Sequence, residues 1–146
     1  MGTRSLTKII QRYDDHEEQV LTTMYRQMDG YPEGHGIDLA TWLYPFNVVN
    51  GIGLHEKRQI ATEFSFDEER QIANGADCLA AQMFAHFKNG PGGIYLMHPD
   101  AHDCGEEYTY FVNIQTDDSI IITVLDNSDD TIIFTGEPRK LVVKYA

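Results

Sequence analysis

The sequence predicts an α+β domain with a single antiparallel sheet of about six or seven strands and two or three helices packed on one face. Strand-like runs occupy both ends of the chain, helix-like runs lie between them, and turn residues separate the last strands at short intervals. Strands and helices segregated in this way are typical of α+β folds rather than of alternating βαβ folds. We expect residues 1–146 to form a single globular domain.

The N-terminal segment predicts a β-hairpin. The runs SLTKIIQRY (5–13) and EQVLTTMYRQM (18–28) are rich in β-branched and aromatic residues, and the polar segment DDHE separates them. The loop DGYPEGHG (29–36) follows. The run IDLATWLYPF (37–46) then predicts a helix, because its apolar residues recur at helical spacing and Pro45 stops it.

The middle of the chain predicts helices. Ser65 and Glu68 form a possible capping box. The run ADCLAAQMFAHFKNG (76–90) is the strongest helical segment, with Leu79, Met83 and Phe87 on one stripe and Asn89-Gly90 as its end. Asn74-Gly75 separates the two helices, because a glycine inside a helix costs about 1 kcal/mol relative to alanine.

The C-terminal part predicts strands joined by tight turns into a meander. IYLMHP (94–99) is short, and EYTYFVNIQT (107–116) alternates as a half-buried strand does. SIIITVLD (119–126) is apolar on both faces, which favours a central position. TIIFTG (131–136) and RKLVVKYA (139–146) complete the sheet, and the alternating lysines of the latter suit an edge strand.

Composition limits the classes of function. The formal net charge of −12 disfavours direct binding of nucleic acid, since such a chain repels phosphate backbones. The chain carries no signal-peptide pattern and no apolar run long enough to span a membrane, so we expect a soluble cytoplasmic protein. Cys78 and Cys104 do not indicate a disulfide framework, although a single bridge between them stays open.

The loop DGYPEGHG is the leading candidate for a binding site. Asp29-Gly30 supports a turn with positive φ, and the glycines around His35 allow close approach of the backbone. If the hairpin pairs residue 4 with residue 26, two arginines flank the loop. We therefore predict a pocket for a small anionic ligand or a protein partner, with these ligand-binding residues: Arg4, Arg26, Asp29, Tyr31 and His35.

Two other parts of the sequence are weaker candidates for a functional site. HPDAHDC (98–104) contains residue types that bind metals, but no second ligand pair of matching spacing is evident, so we predict no metal and no cofactor. Cys78 lies near the start of the strongest helix, where a thiol can be activated, yet His86 is about 12 Å further along that helix at 1.5 Å per residue and cannot pair with it directly.

The segments MGTRSLT, YRQMDGYPEGHG and NGADCLAAQMFAHFK together resemble a family of short, uncharacterised proteins found largely in bacteriophages and bacteria. Members of that family begin with MGTR and carry a Y-x-Q-x-D-G-Y-P-x-G-x-G stretch. The resemblance covers about the first 95 residues and implies a viral or prophage source, but no activity.

The sequence therefore favours a non-catalytic binding or accessory protein with its site at the glycine loop. Two alternatives stay open. One is a small hydrolase that uses His35 with Asp29, or a metal held by His98 and His102. The other is an acidic inhibitor of a host nucleic-acid enzyme, which the negative charge of the chain would suit.

Overall fold

A mixed six-stranded sheet organises the part of the chain that the computed structural model describes, which is residues 2–14, 16–50 and 72–146. The strands are β1 (Ser5–Arg12), β2 (Glu18–Arg26), β5 (Ile94–Met97), β6 (Tyr108–Ile114), β7 (Ile120–Asp126) and β8 (Thr131–Gly136). Their spatial order is β5-β2-β1-β6-β7-β8. Two further short strands, β3 (Asn47–Val49) and β4 (Ile72–Asn74), form a separate parallel pair.

The described helices are α1 (Ile37–Leu43), α2 (Gly75–Phe87) and α3 (Pro138–Tyr145), and a short π-helical turn (Pro32–Gly36) leads directly into α1. All three helices contribute buried side chains to one core cluster. The strands contribute to that cluster from one face of the sheet. Side chains alternate between the two faces along a strand, and residues paired across neighbouring strands point to the same face. The strand residues in the cluster include Ile9, Met24, Tyr110, Val112, Ile122 and Val124.

The α+β class is confirmed, but the prediction of a purely antiparallel sheet is wrong. The N-terminal hairpin forms as predicted, and β1 then joins the C-terminal meander by pairing in parallel with β6, Ser5 opposite Tyr108. The parallel pair arises because the chain returns from the edge strand β5 to β6 in the middle of the sheet. Strand β7, predicted to be central, lies between β6 and the edge strand β8.

The last segment is a helix, which corrects the prediction of an edge strand at 139–146. Pro138 occupies the first turn of α3, where a missing N–H costs nothing and the fixed φ suits a helix. Leu141 is fully buried, and Val142 and Tyr145 pack against the same core, whereas Val143 is exposed. The spacing of Leu141 and Tyr145 is that of a helix face, and packing of this face decides against the strand-like alternation.

The strong helix is α2, which begins at Gly75 as the Asn-Gly boundary predicts and buries Leu79 and Met83. The residues directly before it, Ile72–Asn74, form strand β4 and are not the end of a preceding helix as predicted. It ends at Phe87, two residues before the Asn89-Gly90 signal. The capping box predicted at Ser65 and Glu68 lies outside the described residues. No helix among the described ranges is both long and apolar enough to cross a membrane.

The segment between β5 and β6 covers part of the sheet face opposite the helices. Lys8 anchors it, because its ammonium group donates hydrogen bonds to the carbonyl oxygens of Pro99 at 2.9 Å and Ala101 at 2.7 Å, as well as to the Thr23 hydroxyl. Burial lowers the pKa of Lys8, while the nearby carboxylates of Asp100 and Glu106 oppose that shift. The helices and the glycine loop are thus on one side of the sheet, and the HPDAHDC segment is on the other.

Candidate functional site

The glycine loop is a turn held by backbone hydrogen bonds, and it places the side chain of His35 in the interior of the protein. Asp29 adopts a left-handed conformation with φ of 59°, and its carbonyl oxygen accepts a hydrogen bond from the His35 N–H at 2.8 Å. Gly30 lies against β1, so closely that a methyl group on it would sit 2.7 Å from Cβ of Ser5. The Tyr110 hydroxyl donates to the Gly30 carbonyl at 2.7 Å inside the protein. The glycine at position 30 therefore serves a close approach between loop and sheet.

His35 is fully buried, and both of its ring nitrogens have partners. Arg26 Nη1 lies 2.9 Å from Nδ1, and Thr7 Oγ1 lies 2.8 Å from Nε2. A guanidinium group can only donate, so Nδ1 must accept and the ring proton must be on Nε2, from which it is donated to Thr7. The rings of Phe87 and Tyr110 pack edge-on against the imidazole at centroid distances of 5.3 and 5.1 Å.

This environment keeps His35 neutral. Burial, reinforced by the Arg26 charge, lowers the pKa of His35 to about 3. The His35 ring bonds to Arg26 and Thr7, whereas its contact with Asp29 is made by the backbone. A hydrolase that uses His35 as a base with Asp29 as its partner is therefore disfavoured, because the only basic nitrogen already accepts from a cation. His35 is instead suited to holding Arg26 in place.

Arg26, the last residue of β2, is held on two sides. Its Nε donates to the Met28 carbonyl at 2.7 Å, and its Nη1 donates to His35. The Asp38 carboxylate approaches Nη1 only to 3.5 Å. Among the described residues, Nη2 has no hydrogen-bond acceptor, and 18% of the side chain is exposed. The guanidinium group is thus fixed in orientation and still able to bind an acceptor from outside.

A cavity of about 690 Å³ opens in front of Arg26, between the end of β2, the start of β5 and the ends of α1 and α2. We refer to it as the Arg26 cavity. Its wall is mostly apolar, and aromatic rings form much of it. Trp42 packs edge-on against Phe46 and Phe87 and stacks on His86 at 5.5 Å. The lining residues are Arg26, Met28, Asp29, Asp38, Thr41, Trp42, Pro45, Phe46, His86, Phe87, Gly93 and Ile94.

The polar groups of the Arg26 cavity are concentrated where β2 meets α1. Arg26 supplies a cation, and Asp29 and Asp38 supply two carboxylates. The Asp38 side chain is 58% exposed, which leaves its carboxylate accessible to a ligand. A few convergent polar groups in a mostly apolar concavity of this size are typical of a small-molecule site, in which the apolar wall supplies affinity and the polar groups fix orientation.

The structure brings together some of the predicted ligand-binding residues. Arg26 and Asp29 line the cavity, and His35 lies beneath it in contact with Arg26. Tyr31 is part of the loop without lining the cavity, and its hydroxyl donates to Asp29 Oδ1 at 3.4 Å. This hydrogen bond restrains the carboxylate of Asp29, which lines the cavity.

Arg4 is separated from the other predicted residues, which corrects the expected pairing of residue 4 with residue 26. Ser5 is the partner of Arg26, because a bulge between Ile9 and Ile10 shifts the register by one residue. A shift of one residue turns a side chain to the opposite face of the sheet. The Arg4 guanidinium accordingly packs against Gly105, on the side away from the helices.

The metal-binding hypothesis finds no geometric support in the described ranges, where no group of three or more His, Cys, Asp or Glu side chains converges. His98 and Asp100 are exposed and 3.9 Å apart, and Cys104 Sγ donates to the His102 carbonyl. Cys78 and Cys104 are both free thiols, which excludes the bridge between them. Cys78 Sγ accepts from Gln82 Nε2 at 3.4 Å and packs against the core.

Sequence reasoning missed the aromatic wall and the role of Asp38. Trp42 and Phe87 lie in predicted helices and pack against the core, and both also line the cavity. Asp38 is not among the predicted ligand-binding residues, yet it stands beside Arg26. The available signal is its position two residues after the loop, with the aromatic residue Trp42 one helical turn further on.

No protein-family model matches this chain, and neither a search of curated proteins nor a search of solved structures finds a match. The resemblance to short phage and bacterial proteins therefore stays a prediction. The geometry of the Arg26 cavity is the basis on which function has to be argued.

Proposed function

We propose that this protein is a non-catalytic binding protein and that the Arg26 cavity is its site. The ligand is a small molecule with an anionic or strongly accepting group at Arg26 and an apolar body against the aromatic wall. The observation that carries the proposal is the fixed orientation of Arg26, whose Nη2 has no acceptor among the described residues, beside a cavity of about 690 Å³ with aromatic rings in its wall.

The Arg26 side chain is already ordered before a ligand binds, and this preorganisation favours a binding site at Arg26. An arginine side chain loses much conformational freedom when it binds a ligand, and that loss weakens affinity. Here the side chain is already ordered by the Met28 carbonyl and by His35, so most of that cost falls on folding rather than on binding. A neutral His35 also leaves the charge of Arg26 available to a ligand.

The engagement of His35 favours binding over catalysis by this histidine. Both nitrogens of its buried ring are engaged, and its pKa, lowered to about 3, keeps it from exchanging a proton near neutral pH. General acid–base catalysis requires a group that can exchange a proton near neutral pH at the reacting atoms. The site is better suited to recognition.

A thermal-shift screen tests the proposal. The panel contains aromatic carboxylates with and without an α-amino group, inorganic phosphate, organic phosphates and nucleotides, each measured against the wild type and Arg26→Ala. We expect at least one acid with an aromatic body to raise the melting temperature of the wild type and to lose that effect in Arg26→Ala. Arg12→Ala is the matched control, since Arg12 is also a hairpin arginine close to a carboxylate, 3.5 Å from Glu18, but lies at the other end of the strands.

The proposal fails if no member of the panel shifts the wild type, or if the shifts persist unchanged in Arg26→Ala. A shift that Arg12→Ala abolishes and Arg26→Ala leaves intact would also contradict it, because that result would locate the bound acid elsewhere on the surface.

A further inference from the structure

We infer that the Arg26 cavity recognises an α-amino acid with an aromatic or large apolar side chain, bound as a zwitterion. This inference rests on the proposed function and narrows it. Arg26 takes the carboxylate, Asp38 takes the ammonium group, and the wall around Trp42 takes the side chain.

The first step is the charge of the lining. Arg26 contributes one positive charge, and Asp29 and Asp38 contribute two negative charges, so these three side chains together do not favour an anion. A ligand that carries only negative charge meets Arg26 but is repelled by both carboxylates. A ligand that carries one charge of each sign satisfies Arg26 and a carboxylate together.

The second step is the spacing of the two charges. Arg26 Nη1 and Asp38 Oδ2 are 3.5 Å apart, and neither group is fully used by the other. The carboxylate and ammonium groups of an α-amino acid are joined through one carbon atom, so they too present opposite charges side by side. Arg26 Nη2 can therefore donate to the ligand carboxylate while Asp38 accepts from the ligand ammonium group, with charge-assisted hydrogen bonds at both ends.

The third step is the second carboxylate of the lining. Asp29 lines the cavity on the loop side, and the Tyr31 hydroxyl donates to its Oδ1 at 3.4 Å. A ligand ammonium group therefore meets negative charge from both Asp38 and Asp29.

The fourth step is the apolar wall. Met28, Trp42, Phe46, Phe87 and Ile94 line the cavity beyond the charged groups. A volume of about 690 Å³ exceeds what the two charged groups of an amino acid need, so it leaves room for a large side chain against these residues. Aromatic rings prefer offset or edge-on contact with one another, which the tilted rings of Trp42, Phe46 and Phe87 offer.

The test uses phenylalanine and three analogues. Phenylalaninamide keeps the ammonium group and lacks the carboxylate, N-acetylphenylalanine keeps the carboxylate and lacks the ammonium group, and glycine keeps both and lacks the side chain. The two blocked compounds also mimic the N-terminal and C-terminal residues of a peptide, so the series separates a free amino acid from a chain end. Binding is measured by calorimetry on the full chain.

We expect phenylalanine to bind at least about tenfold more tightly than each analogue, since each blocked compound loses one charge-assisted contact. Asp38→Asn should weaken phenylalanine about tenfold, and it should not weaken N-acetylphenylalanine, which has no ammonium group for Asp38 and is relieved of the repulsion by its carboxylate. Asp100→Asn is the matched control, because that exposed carboxylate is on the opposite face of the sheet. Asp38 is itself 58% exposed, so its substitution should not impair folding.

Three results overturn the inference. If N-acetylphenylalanine binds as tightly as phenylalanine and depends on Arg26, the site recognises an acid without an ammonium group; the inference fails and the proposed function stands. If only phosphates or nucleotides bind in an Arg26-dependent manner, the inference fails in the same way. If nothing in either series binds, the inference and the proposed function fail together.

Discussion

Arg26 donates a hydrogen bond to Nδ1 of the fully buried His35 over 2.9 Å, and this contact fixes both the tautomer of the histidine and the position of the arginine. The two residues come from different parts of the loop connection, one from the end of β2 and the other from the turn before α1. His35 lies in the interior and Arg26 lines the Arg26 cavity, so their contact holds a cavity residue in place from within the protein.

The first prediction concerns the pH dependence of stability. His35 has a folded-state pKa of about 3 because of burial and the Arg26 charge, against an ordinary value near 6.5 in the unfolded chain. Its neutral form therefore contributes stability that is fully present above about pH 6.5 and is lost as the pH falls towards 3. The free energy of unfolding should fall by about 1.4 kcal/mol per pH unit from this group alone.

Denaturant unfolding of the wild type and His35→Gln between about pH 7 and pH 5 measures this contribution. A glutamine amide can accept from Arg26 and donate to Thr7, so the variant should fold, and the other histidines cancel in the comparison. The wild type should show the steeper loss. Equal slopes, or a His35 ring that titrates near pH 6.5 in an NMR titration, would contradict the assignment.

The second prediction concerns the hydrogen bond from Tyr110 to the loop. Tyr110 is buried and its hydroxyl donates to the Gly30 carbonyl at 2.7 Å. Tyr110→Phe removes the donor and leaves a buried carbonyl without a partner, so we expect a loss of about 1–3 kcal/mol in the free energy of unfolding. Thermal or denaturant unfolding checks this. Unchanged stability would mean that the loop is held by its other contacts.

The third prediction concerns the contact between Gly30 and β1. Gly30→Ala would press a methyl group against Cβ of Ser5 and the backbone carbon of Arg4, so the loop would have to move away from the strand. Gly90→Ala is the control: it has a positive φ of 73° but open space around it, so its cost is about 1–2 kcal/mol of backbone strain alone.

Gly30→Ala should destabilise the protein by more than Gly90→Ala in the same denaturant assay, and it should weaken any ligand that binds at Arg26. If both variants lose the same stability, the packing of Gly30 on Ser5 is looser than the structure indicates.

Local patterns predicted the parts of the fold that depend on local physics. The hairpin, the alternating face of β6 and the start of α2 at Gly75 each follow from periodicity or turn chemistry within a short window. The helix at Pro138–Tyr145 was missed because its short run alternates like a strand, while its Leu141–Tyr145 face is decided by core packing. The parallel pairing of β1 with β6 joins segments about a hundred residues apart and leaves no local signal.

The candidate site was predicted in part for the same reason. Arg26, Asp29 and His35 lie within ten residues of one another, so a loop that folds back on itself brings them together. Arg4 was misplaced by a bulge that shifts the register by one residue, which sequence alone does not reveal. The aromatic wall needs the ends of α1 and α2 to meet, and only the tertiary structure shows that contact.

The central claim is that the orientation of Arg26, and not only its charge, makes the cavity a binding site. Arg26→Lys keeps the charge, but lysine lacks the planar fork that reaches Met28 and His35 together and still leaves a nitrogen for the ligand. Trp42 lines the cavity and is the single tryptophan in the chain, so its fluorescence reports directly on occupancy.

The decisive measurement is a titration of wild type and Arg26→Lys with phenylalanine, followed by Trp42 fluorescence and repeated with the tightest ligand of the thermal-shift panel. The account predicts a saturable change in the wild type and an affinity lower by at least about tenfold in Arg26→Lys. Equal affinities in the two proteins, or a bound ligand that leaves Trp42 fluorescence unchanged, would contradict it.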